Sequence, residues 1–215
     1  MKKILLIGIF GALTGLSHAA SVTIQNPSFE APDLSQPGVN PWTNDLAPGG
    51  GWLNQDNSTS NGGSFIEVIG GFSADGTQHI GMASAWGVGQ DTGVVFQANT
   101  RYTLTVAVGN RNANFSPVDN ISQYGLVDGI GGIHASDSVD ASTLPESTFV
   151  DAPALVFDVP AGSPLIGEPV IIGLTSAGAG RAHFDNIRLD ASTIPEPTTG
   201  LLAGLAGLML LRRRR

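Results

Sequence analysis

The chain has 215 residues, 29 glycines, 13 prolines and no cysteine, and its formal net charge is −8. The lack of cysteine excludes disulfides, thiolate metal sites and a cysteine nucleophile. Six of the ten basic residues lie at the two ends, so residues 20–211 hold four arginines against all 18 acidic side chains. This balance argues against a nucleic acid partner and favours divalent cations.

The N-terminus has the pattern of a secretory signal peptide. Lys2 and Lys3 form a charged region, Ile4 to Leu16 are mostly apolar, and Ser17-His18-Ala19 places small residues where signal peptidase cuts. We predict a signal peptide over residues 1–19, a body domain over 20–192, and export to the cell envelope or beyond.

The body alternates short strand-like runs with turns and shows no helical period over ten residues. The strongest run is 101–108, where Tyr102, Leu104, Val106 and Val108 share one face. The predicted strands are 22–25, 65–69, 78–82, 93–97, 101–108, 122–127, 154–159, 169–175 and 181–189. Eight or nine short strands predict an all-β fold, an antiparallel jelly-roll β-sandwich. The polar stretches 31–64, 109–121 and 129–148 are expected to be loops.

Three tryptophans are candidate sugar-binding platforms, because a pyranose ring packs its C–H face on an aromatic ring. Trp42 and Trp52 lie in polar loop sequence rich in hydrogen-bonding partners, and Trp86 is the third. Burial in the core is the alternative for each of them.

No constellation of catalytic residues is visible. His79, His134 and His183 are dispersed along the chain, no nucleophile elbow is present, and nothing pairs two of the carboxylates. We therefore expect a protein that is not an enzyme.

The C-terminal residues 193–215 combine a rigid Pro195-Glu196-Pro197, an apolar run to Leu211, and Arg212, Arg213, Arg214 and Arg215. The apolar run predicts a short helix. As a helix, the fourteen residues from Thr198 to Leu211 span about 21 Å of a hydrocarbon core roughly 30 Å thick. Transient membrane insertion followed by processing fits this length, and an ordinary single-span anchor with cytoplasmic arginines is the alternative.

This tail resembles the PEP-CTERM family of bacterial exported proteins. The resemblance implies recognition by a membrane-embedded exosortase, which processes the tail and passes the protein to the envelope or an extracellular matrix.

The body resembles galactose-binding-like and carbohydrate-binding-module jelly rolls. The motifs are Asn26-Pro-Ser-Phe-Glu30 near the start and His183-Phe-Asp-Asn-Ile-Arg-Leu189 near the end. The resemblance implies a structural Ca²⁺ between the opening and closing segments, with Glu30 and Asp185 at the acidic positions. Period-two alternation puts Asp185 beside Ile187 and Leu189, where an unpaired carboxylate is costly. A cation, a hydrogen-bond network or a bulge must resolve this.

We therefore expect an exported, non-enzymatic surface or matrix protein, sorted by an exosortase, whose jelly roll binds polysaccharide. A purely structural matrix component is the second hypothesis, and a glycoside or ester hydrolase is the third.

Overall fold

The computed structural model describes residues 19–40, 42–43, 46, 50–54, 66–83, 85–111, 120–128 and 132–195. This part of the chain forms antiparallel strands and one short 3-10 helix, Ala141–Thr143. The strands are β1 (Ala19–Val22), β2 (Trp42–Thr43), β3 (Leu53–Asn54), β4 (Ile66–Gly70), β5 (Gln78–Met82), β6 (Gly87–Val95), β7 (Thr100–Asn110), β8 (Ile121–Val127), β9 (Ile133–Asp140), β10 (Thr148–Asp151), β11 (Leu155–Val159), β12 (Pro169–Ser176) and β13 (Ala182–Thr193).

The strands make two sheets. The larger has the order β10-β7-β13-β5-β4-β2, with β1 also paired to β13 and β11 also paired to β7. The smaller has the order β3-β6-β12-β8-β9. Strands β7 and β13 are long enough, at 11 and 12 residues, to pair with several partners each at the centre of the larger sheet.

The core lies between the two sheets. On β7 the residues Tyr102, Leu104, Val106 and Val108 are all buried in it, so the face predicted from the alternation is confirmed. Leu174 of β12 joins the same cluster from the smaller sheet. Apolar side chains from the inner faces of both sheets therefore hold the sandwich together.

A β-bulge interrupts β13. The pairing with β7 shifts register between Asp185 and Arg188, and Asn186 has a φ of 47°, a conformation that asparagine tolerates better than most residues. The extra residue separates Asp185 from the face that carries Ile187 and Leu189, which belong to the core. The bulge, with the hydrogen bonds described below, resolves the conflict seen in the sequence.

The fold class is confirmed as all-β, in two sheets consistent with a β-sandwich of the jelly-roll kind. The prediction that 129–148 is a loop is wrong, since β9 and the start of β10 lie there. Strand β6 begins at residue 87 instead of 93, and the polar stretch 31–64 contains the two-residue strands β2 and β3.

The signal peptide and the C-terminal helix stay predictions, because residues 1–18 and 196–215 lie outside the described part of the chain. Within that part, no helix has the length and apolar character needed to cross a membrane.

Candidate active site

The outer face of the larger sheet, turned away from the core, carries an unusual row of residues. Strand pairing places Glu67 opposite Gly81, Gly81 opposite His183, and Gly109 opposite Phe149. His183 adjoins Gly109 because the next pair along β13 and β7 joins Phe184 to Val108. The row thus crosses five strands, with one glycine on each side of the histidine.

The two glycines make room for aromatic rings. A Cβ atom on Gly81 would lie 2.9 Å from His183 Nδ1, and one on Gly109 would lie 2.6 Å from the ring of Phe149. Both distances are too short for any side chain. The imidazole of His183 and the phenyl ring of Phe149 therefore pack over the bare backbone of Gly81 and Gly109, which we call the glycine floor.

Two histidines form a buried pair on this floor. The Nε2 atom of His79 lies 3.1 Å from Nδ1 of His183, and neither residue is exposed to solvent. The half-buried rings of Phe72 and Phe149 lie 4.6 Å and 5.3 Å from that of His79, centroid to centroid. The phenyl rings themselves are 5.3 Å apart.

Burial keeps both imidazoles neutral. It lowers the pKa of His79 to about 4, against the hydrogen bond to Phe72, which favours the charged form. It also lowers the pKa of His183 well below the ordinary value, and the neighbouring His79, Arg111 and Arg181 lower it further. Near neutral pH each ring therefore keeps one unprotonated nitrogen that can accept a proton, and neither ring carries the extra proton of an imidazolium.

Asp185 lies on the same face, two residues after His183. It is fully buried, and its Oδ2 accepts hydrogen bonds from the backbone N–H groups of Ala74 at 2.5 Å and Asp75 at 2.9 Å. Its Oδ1 accepts from the N–H of Asn186 at 2.7 Å. Burial raises the pKa of Asp185 to about 7, although the three N–H donors favour the charged carboxylate. This carboxyl can carry a proton near neutral pH.

The loop at residues 71–77, which joins β4 to β5, covers the site. Phe72 projects from it, Asp185 holds its middle, and Glu30 holds its end by accepting the N–H groups of Thr77 and Gln78, each at 2.7 Å. The loop is thus fastened from both the opening and the closing segments of the domain.

Glu30 and Asp185, the predicted Ca²⁺ ligands, do lie against one loop. The two oxygens of a carboxylate offer about four lone-pair sites. On each of these two carboxylates, three of the sites already accept hydrogen bonds. All the donors are backbone N–H groups except the hydroxyl of Thr77, which donates to Glu30. Among the described residues no group of three or more His, Cys, Asp or Glu side chains could hold a metal ion. Calcium stays a prediction from the sequence, and no step below depends on it.

A salt bridge closes the other end of the row. Arg181 Nη1 lies 2.8 Å from Oε2 of Glu67, and both side chains are largely buried. Arg111 is close enough for its charge to act on Glu67, Arg181 and both histidines. Two of the four arginines in the body therefore border the histidine pair.

The tryptophans do not form a platform in the described part of the chain. Trp52 is 1% exposed, packs against Phe29 at 5.2 Å between ring centroids, and donates its indole N–H to the carbonyl of Asn26. Trp86 is half-buried against the same core. Trp42 lies in β2, and its side chain is outside the described part of the chain. Trp52 thus follows the core alternative.

The buried acid, the neutral histidine pair and the aromatic rings suit proton-transfer chemistry on a small molecule. A protein-family model described as HpiC1-like, HpiC1 cyclase, matches residues 20–190. The chain belongs to the HpiC1-like cyclase family. No curated protein matched this HpiC1-like chain.

Solved cyclase structures share the fold of this HpiC1-like chain. Fisc, a Stig cyclase from Fischerella sp. TAU in complex with (3Z)-3-(1-methyl-2-pyrrolidinylidene)-3H-indole, is 24% identical, with a TM-score of 0.67 over 82% of this chain and 99% of that one. A cyclase from the same source, in complex with 4-(1H-indol-3-yl)butan-2-one, is 24% identical, with a TM-score of 0.63 over 81% and 98%. The apo form of a cyclase from Fischerella sp. is 25% identical, with a TM-score of 0.66 over 84% and 98%.

Membership of the HpiC1-like family corrects several expectations. The identification as a PEP-CTERM protein with a carbohydrate-binding body is wrong, because the family that matches the body is a cyclase family. The prediction of a non-enzymatic surface or matrix protein is wrong for the same reason. A small-molecule substrate replaces the exosortase and polysaccharide as the expected partner. Of the sorting-signal residues, only Pro195 lies in the described part of the chain.

Sequence reasoning missed the histidine pair. His79 and His183 are 104 positions apart, and only the pairing of β5 with β13 brings them together. A signal did exist in the two strands: Gly81 and Gly109 occupy outward positions in otherwise regular strands, where a glycine marks close approach of another group.

Proposed function

We propose that the protein is a cyclase that closes a ring in a small aromatic substrate by proton transfer, with Asp185 as the acid and His183 as the base. One observation carries this assignment. The two residues lie on one face of β13, two positions apart, and their environments move their pKa values in opposite directions. Opposite shifts in neighbouring groups are the arrangement that separates an acid from a base at a single pH.

The reaction needs no co-reactant. Asp185 gives its proton to an unsaturated carbon of the substrate, and the cation so formed is attacked by a nucleophilic carbon of the same molecule. The new ring loses a proton to the neutral imidazole of His183, and the imidazolium then returns that proton to Asp185 through water, so both groups regain their starting states before the next turnover. Substrate and product therefore have the same composition.

The aromatic rings suit such a cation. The rings of Phe72 and Phe149 lie next to the histidine pair, and the face of an aromatic ring attracts a positive charge. The same faces can stack against a flat heterocycle. Two cyclases with this fold were solved with indole-containing ligands, which supports an indole-type substrate here.

Access requires the loop at 71–77 to lift, since His79, His183 and Asp185 are fully buried. Gly71 and Gly76, near its two ends, have φ values of 116° and 71°, which glycine adopts without strain. Loop opening would move Phe72 away and free Asp185 from its N–H partners, so the loop must close again over the bound substrate before Phe72 and the buried acid can act. We also propose that the domain works after export, which the charged and apolar segments of residues 1–19 support.

The test compares Asp185→Asn with the unmodified protein. Binding of 4-(1H-indol-3-yl)butan-2-one is measured by saturation-transfer NMR. Turnover of 3-alkenyl indoles is measured by liquid chromatography with mass spectrometry, as a product of the same mass and a different retention time. Because Asn keeps the shape but has no acidic proton, we expect binding to persist and turnover to fall by about 10²-fold or more.

Asp190→Asn is the matched control, because Asp190 is an exposed acid on the same strand. It should leave both binding and turnover unchanged. Retained turnover in Asp185→Asn, or failure of the unmodified protein to bind the indole ketone, would count against the proposal. Circular dichroism of both variants separates a lost function from a lost fold.

A further inference from the structure

The hydrogen bonds of the histidine pair determine which ring nitrogen carries each proton. His79 Nδ1 lies 2.8 Å from the carbonyl oxygen of Phe72. A carbonyl oxygen only accepts, so His79 must hold a proton on Nδ1. In the neutral ring Nε2 then carries a lone pair, and this atom faces Nδ1 of His183 at 3.1 Å. His183 must therefore donate from Nδ1.

The other arrangements fail on physical grounds. If His183 carried its proton on Nε2, two lone pairs would face each other across 3.1 Å in a fully buried site. If one ring were charged, an imidazolium would be buried beside the guanidinium groups of Arg111 and Arg181, which oppose it. Glu67, the carboxylate in this row, is already paired with Arg181.

We propose that His79 is a positioning residue that holds His183 with Nδ1 protonated and Nε2 as the proton acceptor. The order of donors runs from His183 through His79 to the backbone of the loop at 71–77. The assignment of the tautomer rests on these contacts alone, and its meaning for turnover rests on the proposed role of His183 as the base.

The hydrogen bond between His79 and Phe72 ties the tautomer of His183 to closure of the loop at 71–77. The carbonyl that fixes His79 belongs to Phe72, so the loop must be closed for the whole chain of hydrogen bonds to form. When Nε2 of His183 takes a proton, its Nδ1–H bond to the neutral His79 strengthens. A neutral orienting group, unlike a carboxylate, leaves His183 a weak base, which suits capture of a proton from a strongly acidic cation.

Two substitutions at position 79 separate the two hydrogen bonds. His79→Gln places an amide oxygen near the position of Nε2 and can still accept from His183, while it gives up the bond to Phe72. His79→Asn places its amide nearer the position of Nδ1, so it can still donate to Phe72 but no longer reaches His183. Both replace a buried imidazole by a neutral amide, so each controls for the other.

The first readout is the protonation of the ring nitrogens, followed by long-range ¹H–¹⁵N NMR on the full protein labelled in histidine. We expect His183 to show a protonated Nδ1 and an unprotonated Nε2 in the unmodified protein and in His79→Gln, and a mixture of tautomers in His79→Asn. A proton on Nε2 of His183 in the unmodified protein would overturn the inference, and this readout stands even if neither variant folds.

The second readout is turnover. We expect kcat to stay within a few-fold in His79→Gln and to fall by about 10-fold or more in His79→Asn, with KM nearly unchanged in both. Equal losses in the two variants with the tautomer intact would also overturn the positioning role. If the unmodified protein turns over no substrate while the NMR pattern is as expected, the proposed function fails and the tautomer assignment survives.

Discussion

Asp185 and His183, two positions apart on β13, have pKa values that differ from those of the free side chains. Asp185 accepts three backbone N–H groups, which by themselves would lower its pKa, yet burial is the larger effect and raises it. His183 is kept neutral by the same burial and by nearby positive charges. Burial therefore lets the carboxyl keep its proton up to about pH 7 and keeps the imidazole unprotonated at the same pH.

These shifts predict how stability depends on pH. The pKa of His79 falls from 6.5 to about 4 on folding. Its contribution to the free energy of unfolding is therefore present above pH 6.5 and is lost as the pH falls toward 4. That loss is about 3 kcal/mol. The pKa of Asp185 rises from 3.8 to about 7 on folding. Its contribution to the free energy of unfolding is therefore present below pH 3.8 and is lost as the pH rises through 7. That loss is about 4 kcal/mol.

The two effects oppose each other between pH 4 and 6.5. Because His183 loses stability on acidification as His79 does, we expect the unmodified protein to gain stability as the pH rises in this range. Asp185→Asn should gain it more steeply, because the opposing contribution of Asp185 is absent. Urea unfolding at pH 4.5, 5.5, 6.5 and 7.5 measures the free energy of unfolding in each. Parallel curves for the two proteins would show that Asp185 does not titrate in this range.

At the scale of single strands, the sequence predicted what one-sided burial makes visible. β5, β7, β8 and β12 carry apolar residues on the inner face, and their predicted positions agree with the structure to within two residues. β9 was missed because it lies at the edge of the smaller sheet and exposes both faces, so no alternation marks it. Edge strands without an apolar face carry little signal in a single sequence.

The site was less predictable than the strands. Asp185 was singled out, but the alternation placed it on the core side, because the bulge at Asn186 leaves no mark in the sequence. The histidines were dismissed as dispersed, although β13 pairs with β5 and brings His183 beside Gly81. Distance along the chain does not measure distance across a sheet whose neighbours are not consecutive strands.

The glycine floor can be tested on β7. In Gly109→Ala the new Cβ would lie 2.6 Å from the ring of Phe149, which must leave its place over the site. We expect a loss of about 1–3 kcal/mol in the free energy of unfolding, as in other overpacked sites. Gly89→Ala on β6 is the control, because its nearest atom would be at 3.5 Å.

The control should be neutral or more stable by about 0.5–1 kcal/mol, since alanine loses less entropy than glycine when a strand forms. Thermal and urea unfolding of both variants give the comparison. If Gly109→Ala were as stable as Gly89→Ala, with the aromatic signals of Phe149 unchanged by NMR, the floor would have no role in placing the ring.

The apolar core and the proposed active site lie on different faces of the larger sheet. The apolar residues between the sheets form the core, and the histidine pair with Asp185 lies on the opposite side of the larger sheet. The central strands β7 and β13 supply side chains to both surfaces because successive residues point to opposite faces. Substitutions on the outer face can therefore change the chemistry without removing the core that supports it.

One end of the interior departs from this division. Asn110, Asn120, Ser122 and Ser176 are buried there, at the ends of strands whose inner faces are otherwise apolar. Within the described part of the chain, Ser122 Oγ and the side-chain oxygens of Asn110 and Asn120 have no hydrogen-bond partner. Ser176, by contrast, donates its hydroxyl to the carbonyl of Gly180 at 3.2 Å.

Ser122 and Ser176 are a matched pair for measuring how the buried polar groups at this end change the free energy of unfolding. They are direct cross-strand partners on β8 and β12, and both are fully buried. Ser122→Ala removes a hydroxyl without a partner, so we expect the free energy of unfolding to rise by about 1 kcal/mol. Ser176→Ala leaves the carbonyl of Gly180 without its donor and should lower it by about 1–2 kcal/mol. Urea unfolding of both variants decides the matter, and a loss of stability in Ser122→Ala would mean that its hydroxyl has a partner in solution.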